Sequence, residues 1–252
     1  MFNPEEHWEF NSLGIYDYKR PGEYDLFYED IRQNLISRPG NIIECGVYNG
    51  RTLLATALLL REMNSDKIVV GFDSFTGFPN LDQGKTNIND ELDAFNLFAT
   101  PQQKLRISRL IEIKSLSTAT KLQPYNISSS MNFRSHGLEI LKKKILFLGL
   151  SNVTIIEGYF SETMNKSYEV CDQIFSVFMD CDLYSSYLSS LNFVWENTSI
   201  GGLIYLDEYY SLKFPGCKIA VDQFLADKKF TLITDSGKVG DEFERNVIIK
   251  EI

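Results

Sequence analysis

Short apolar runs alternate with longer stretches of helical spacing through most of the chain. The apolar runs lie at 41–45, 67–73, 152–158, 174–179, 202–206, 230–235 and 246–251. Helical spacing covers 23–37, where Leu26, Phe27, Ile31, Leu35 and Ile36 fall on one side, and then 53–63, 137–149, 185–195 and 218–225. Runs too short for a helix, bounded by turn residues and rich in Val, Ile and Phe, predict strands buried on both faces. Strands that alternate with helices predict parallel pairing. The last two runs have no helical stretch between them, so they should pair antiparallel. The pattern predicts an open, mostly parallel α/β sheet covered on both faces, with no internal repeat or interdomain linker.

Two segments stand outside this alternation. Residues 1–25 are polar and aromatic, with His7, Trp8, Phe10, Tyr16, Tyr18 and Tyr24. Such a segment should dock, either to cover the core or to line a pocket. Residues 80–135 carry only weak helical spacing near 90–98 and 103–113 and a Ser/Asn-rich run at 126–132. An excursion of this length inside a compact fold predicts an inserted lid or binding loop. His136, which follows it, reads as a structural residue.

The chemistry gathers at the ends of the apolar runs. The run at 174–179 ends in Asp180-Cys181-Asp182, and the run at 202–206 ends in Asp207-Glu208. Parallel strands bring both pairs to one edge of the sheet. Carboxylates so gathered repel unless a proton or a cation intervenes, and oxygen-only ligands favour a hard ion such as magnesium or calcium. The first run leads into Glu44-Cys45-Gly46-Val47-Tyr48-Asn49-Gly50 and a helix. Glycines there let the backbone approach a ligand, and the helix start offers unpaired N–H groups. This is neither the dinucleotide G-x-G-x-x-G pattern nor a P-loop. The second run ends in Asp73, placed where an acid of a nucleotide-binding unit accepts bonds from ribose hydroxyls. Together the loop and Asp73 point to an adenosine-containing ligand.

Composition narrows the setting. Among 252 residues, 44% are hydrophobic, enough for a large core. The net charge of −9 argues against nucleic-acid binding through a broad basic surface. Cys45, Cys171, Cys181 and Cys217 form no C-x-x-C pair and read as reduced thiols of a cytoplasmic protein. The N-terminus lacks the basic and apolar regions of a signal peptide, and no apolar stretch reaches the ~20 residues of a membrane span.

An ordered set of motifs extends this reading: Glu44-Cys45-Gly46-Val47-Tyr48-Asn49-Gly50, Phe72-Asp73-Ser74-Phe75-Thr76-Gly77-Phe78-Pro79, Glu157-Gly158-Tyr159-Phe160, Asp180-Cys181-Asp182-Leu183-Tyr184-Ser185-Ser186, Gly201-Gly202 with Asp207-Glu208-Tyr209, and Gly216-Cys217-Lys218-Ile219-Ala220-Val221-Asp222. Over most of 41–225 the chain resembles the macrocin/TylF-type sugar O-methyltransferases, a branch of the class I S-adenosylmethionine-dependent methyltransferases. The resemblance implies one Rossmann-like domain over 1–252, with residues 1–40 as a helical and aromatic cap. It implies a seven-stranded, mostly parallel sheet with an antiparallel last strand. It also implies magnesium-dependent methylation of a hydroxyl on a sugar or glycosylated small molecule.

Carried over by motif, Glu44, Gly46 and Gly50 border the methionine part of S-adenosylmethionine and Asp73 holds the ribose. Val47, Tyr48, Thr52, Ser74, Phe75, Gly158, Tyr159, Phe160 and Asp180 complete the candidate cofactor set. Asp180, Asp207 and Glu208 are the implied metal ligands, and Asp180 or Asp182 is the implied base. The chain departs from the family in carrying Asp207-Glu208 where Asp-Asp is usual, and Arg51 where a small residue commonly follows the glycine. The resemblance also implies a homo-oligomer, with the aromatic N-terminus as a candidate interface. Two other readings are a nicotinamide-dependent reductase, against which the absent G-x-G-x-x-G argues, and a non-catalytic cofactor-binding member, against which the intact acid set argues.

Overall fold

The computed structural model describes residues 10–20, 22–79, 99–116, 133, 137–211, 214, 216–235 and 245–251. Among them, seven strands form one sheet: β1 (Asn41–Cys45), β2 (Val69–Asp73), β3 (Val153–Glu157), β4 (Ile174–Met179), β5 (Thr198–Leu206), β6 (Phe230–Asp235) and β7 (Arg245–Lys250). Their order across the sheet is β3-β2-β1-β4-β5-β7-β6. The first five strands pair in parallel, and β7 runs antiparallel to both β5 and β6. The predicted parallel sheet and terminal antiparallel pair are both present, and the sheet has the seven strands that the resemblance implies.

The helices of ten or more residues among those described are α1 (Asp25–Asn34), α2 (Arg51–Glu62), α3 (Pro101–Ser115), α4 (Gly137–Leu148), α5 (Tyr184–Asn197) and α6 (Gly216–Leu225), and a single helical turn lies at Phe160–Thr163. Every residue of β4 is buried, as its unbroken apolar run requires of a strand covered on both faces. Its alternate side chains divide between two cores. Phe178 packs with residues of α1 and α2, and Val177 and Met179 pack with residues of α5 and α6. The edge strand β3 is only partly buried.

The N-terminal aromatics cover the first of these cores. Tyr16, Tyr18 and Tyr24 are buried, and Tyr16 stacks on Tyr28 with ring centroids 5.3 Å apart and planes at 8°. Tyr24 meets Phe178 and Tyr205 edge-on. These side chains are committed to their own core. His7 and Trp8 lie outside the described residues.

Of the region at 80–135, α3 and its flanks are described, together with Phe133. The helix spans the spacing expected at 103–113; the stretch expected at 90–98 and His136 lie outside the described residues. A reciprocal cap starts α3: the Gln103 N–H donates to Thr100 Oγ1 at 3.2 Å, and the Thr100 N–H donates to Gln103 Oε1 at 2.7 Å. All four cysteines are buried and none forms a disulfide. No described helix is long and apolar enough to cross a membrane.

Candidate active site

The parallel register sets four strand ends level. Cys45 pairs with Phe72 on one side and Met179 on the other, and Met179 pairs with Leu206. The ladder then continues one step into the residues that follow. Gly46 N–H donates to Phe72 O at 2.9 Å, Asp180 N–H to Cys45 O at 2.8 Å, and Asp207 N–H to Met179 O at 3.0 Å. The strand order reverses between β1 and β4, and the crevice beyond the carboxyl ends at such a point is where open α/β sheets bind ligands.

The loop from β1 to α2 is shaped by its glycines and by Asp73. Gly46 has φ +91°, and a Cβ there would lie 1.7 Å from the Asp180 carbonyl oxygen. Only glycine lets the loop pass this close to the tip of β4. Gly50, at φ +79°, is the N-cap of α2, and a Cβ there would sit 2.3 Å from Leu141 Cδ1. Asp73 Oδ2 accepts the Val47 and Tyr48 N–H groups at 2.8 Å each, and Oδ1 accepts the Phe75 N–H at 2.7 Å. The β2 acid therefore ties together the two loops that frame the crevice.

Beyond these loops lies a cleft with about 860 Å³ of free space, its open mouth included, within the range of small-molecule sites. Gly46, Tyr48 and Asp73 form one side of it; Ser74, Gly77 and Gly158-Tyr159-Phe160 form another. Asp180 and Asp182 close it at the β4 tip. Phe78 and Phe133 stand at its wall 5.5 Å apart, and Tyr48 lies 5.5 Å from Phe133. A glycine-floored crevice with a carboxylate at the β2 tip suits an adenosine-bearing molecule: the acid can accept ribose hydroxyls while it organises the loop.

Asp180, Asp207 and Glu208 come together behind this cleft. Each offers an oxygen within 4.8 Å of the others. Burial pushes the Asp180 carboxyl up to about 7, reinforced by the charge of Asp207. Burial also raises Glu208 well above the usual carboxylate range, with Asp180 and Asp207 adding to it. Asp207 is raised by burial too, but Arg245 opposes this, its Nε donating to Asp207 Oδ1 at 2.6 Å. The Tyr187 hydroxyl lies 2.6 Å from Glu208 Oε2 and holds it from the α5 side. Three clustered oxygen donors, two of them buried and all reluctant to shed their protons, fit a hard divalent cation, whose charge would offset their repulsion. Asp182 stands outside the trio, is buried and has φ +61°, a strained conformation for a non-glycine residue.

Not every expected cofactor residue lines the cleft. Glu44 is 1% exposed and faces α2, accepting the Thr52 hydroxyl at 2.7 Å. Burial raises its carboxyl well above the usual range. Glu44 and Thr52 form a buried pair under the loop, and Val47, Gly50 and Phe75 shape the loops from behind. The sequence reading missed Arg245 and Tyr187, which hold the acids, and the ring pair Phe78 and Phe133. The alternation of Tyr187 and Leu191 on the buried side of a helix gave a signal for Tyr187 as core but none for its hydroxyl bond.

The model of the macrocin-O-methyltransferase (TylF) family matches residues 132–236. Over that span, less than half of its length, the chain is similar to this family. The match identifies the chain as an O-methyltransferase. The methyltransferase is 25% identical over 239 residues to demethyldecarbamoylnovobiocin O-methyltransferase of Streptomyces niveus, a match covering 92% of this chain and 77% of that protein. Its fold is similar to the O-methyltransferase NovP, with a TM-score of 0.59 and 20% identity over 89% of this chain and 76% of the other. It is also similar to the calicheamicin methyltransferase CalS11, with a TM-score of 0.55 and 19% identity over 98% and 80% of the two chains.

Proposed function

We propose that the methyltransferase methylates a hydroxyl of a sugar or glycosylated small molecule, with magnesium held by Asp180, Asp207 and Glu208. The observation that carries this reading is the gathering of three carboxylates within 4.8 Å, Asp207 and Glu208 buried and Asp180 partly exposed at the end of a cleft framed by the Gly46 loop and Asp73. The similarity to demethyldecarbamoylnovobiocin O-methyltransferase supports a small-molecule acceptor, and the likeness in fold to a TDP-rhamnose 3'-O-methyltransferase supports a glycosyl one.

When bound, S-adenosylmethionine supplies an electrophilic methyl group, and a divalent cation supplies charge that orients acceptor oxygens and makes a hydroxyl more acidic. The protein's own residues do the rest. Asp73 accepts hydrogen bonds from the ribose and keeps the Val47-Tyr48 backbone in place. Gly46 leaves the floor of the cleft open beside Asp180. Asp180, Asp207 and Glu208 would hold the cation through their clustered oxygens. Asp182, on the cleft wall but outside the trio, takes the hydroxyl proton as the methyl arrives; positioned general-base help is worth about 10²–10⁴-fold. Tyr48, Phe78 and Phe133 give the acceptor an apolar wall and shield it from water. The acid-lined cleft disfavours nucleic acid. The four buried thiols suit a reducing cytoplasm.

The test is transfer of labelled methyl from S-adenosylmethionine to a panel of deoxysugar glycosides and nucleotide sugars, with magnesium and with chelator. The reading expects label on at least one glycosyl acceptor, lost with chelator and reduced 10²-fold or more by Asp182→Asn. Label transfer undiminished in chelator would remove the metal from the reading. An unchanged rate in Asp182→Asn would remove Asp182 as base.

A further inference from the structure

Arg245 opens β7, far in sequence from any motif of the site. The antiparallel register sets Asn246 opposite Leu206, which brings Arg245 beside Asp207. The arginine is buried; its Nε lies 2.6 Å from Asp207 Oδ1, and its guanidinium reaches Glu23 Oε2 at 3.6 Å and lies 5.3 Å from the Tyr24 ring centre. Glu23 is held in turn by Arg51 at 2.7 Å, and Arg51 is the first residue of α2. A chain of alternating charge therefore runs from the acid trio to the helix that carries the Gly46–Gly50 loop.

We propose that Arg245 is a positioning residue for the metal: it holds the Asp207 carboxylate in place and matches the charge of the site to a divalent cation. The inference rests on the metal reading above. Its physical basis is charge and geometry. Three ionised carboxylates enclosed together carry a charge of minus three, one more than a divalent ion neutralises. The guanidinium makes up the difference, and Glu23, which would cancel it, is itself paired with Arg51. A buried carboxylate without such a partner is expensive to keep ionised, and the planar fork of arginine fixes the plane of the acid it binds. Groups that orient metal ligands in this way typically contribute 10–100-fold to metal affinity.

The experiment is titration of the purified full chain with manganese, followed by the electron paramagnetic resonance of the free ion, alongside titration with S-adenosylhomocysteine by calorimetry. Arg245→Met should weaken manganese binding tenfold or more at pH 7.5, leave the homocysteine product's affinity within about threefold, and be largely reversed in Arg245→Lys. If Arg245→Met does not fold, Arg245→Gln keeps an N–H donor, removes the charge and gives the same comparison. Manganese binding as tight as in the wild type, or tighter, would show that the guanidinium does not support the site. A parallel loss of manganese and product binding would mean that Arg245 only supports the fold. If the wild-type chain itself binds no manganese, the metal reading fails and the role of Arg245 falls with it, a result distinct from the other two.

Discussion

Replacing Asp180 by asparagine should change stability in opposite directions with and without metal. The Asp180 carboxyl is pushed from 3.8 to about 7 in the folded protein, first by burial and then by Asp207. The sign follows from linkage. Between about pH 4 and 7 the unfolded chain has lost this proton while the folded chain keeps it, so stability falls as pH rises through that window, and the penalty is complete above pH 7. A displacement of that size has a ceiling of about 4 kcal/mol, at about 1.4 kcal/mol per pH unit. Asp180 is partly exposed, and an amide must still find partners, so Asp180→Asn should stabilise the metal-free protein by about 1–3 kcal/mol at pH 8. For a chain of this size that raises Tm by roughly 3–8 °C. Magnesium at 100 times its Kd should stabilise the wild type by about 2.7 kcal/mol and the variant by little. Differential scanning calorimetry at pH 8, in chelator and in magnesium, reads both effects. A lower Tm for Asp180→Asn in chelator, or a full magnesium shift retained in the variant, would refute the reasoning and make Asp180 a loop anchor.

Other substitutions separate the parts of the site. Gly46→Ala puts a methyl 1.7 Å from the Asp180 carbonyl at φ +91°; unfolding in urea should show a loss of about 3 kcal/mol or more, since left-handed strain alone costs about 1–2 kcal/mol. Asp73→Ala strips the acceptor from three backbone N–H groups; calorimetry should show S-adenosylhomocysteine affinity down at least tenfold, and Tm should fall with it. Glu44→Gln should leave that affinity within about threefold, because the side chain is buried against Thr52, and a tenfold loss would return Glu44 to the ligand's surroundings.

The sheet was legible because its central strands are buried on both faces, which forces apolar runs such as 174–179 that a surface strand would interrupt. The acid cluster was legible for a related reason: parallel strands in register must deliver Asp180, Asp207 and Glu208 to one edge. Boundaries were less so. β2 begins at Val69, because Lys67 instead donates its ammonium to Arg38 O and Gly40 O, and Ile68 N–H turns to the Asn41 side chain. β5 begins at Thr198, ahead of the Gly201-Gly202 pair that reads as a turn, through an irregular pairing with β4. Glu44 entered the candidate set only through the resemblance; its side chain is buried and accepts the Thr52 hydroxyl of α2, a contact no sequence pattern marked. Arg245 lay beyond any local pattern, since its contact with Asp207 depends on the register of β5 with β7, 38 residues apart.

The most direct test of the account is calorimetric titration of S-adenosylhomocysteine and of magnesium into the same protein. The account predicts one site for S-adenosylhomocysteine, present with magnesium and with chelator, and a separate magnesium site that Asp207→Ala abolishes while the protein stays folded. A folded wild-type chain that binds neither, or magnesium binding that survives Asp207→Ala, would contradict it.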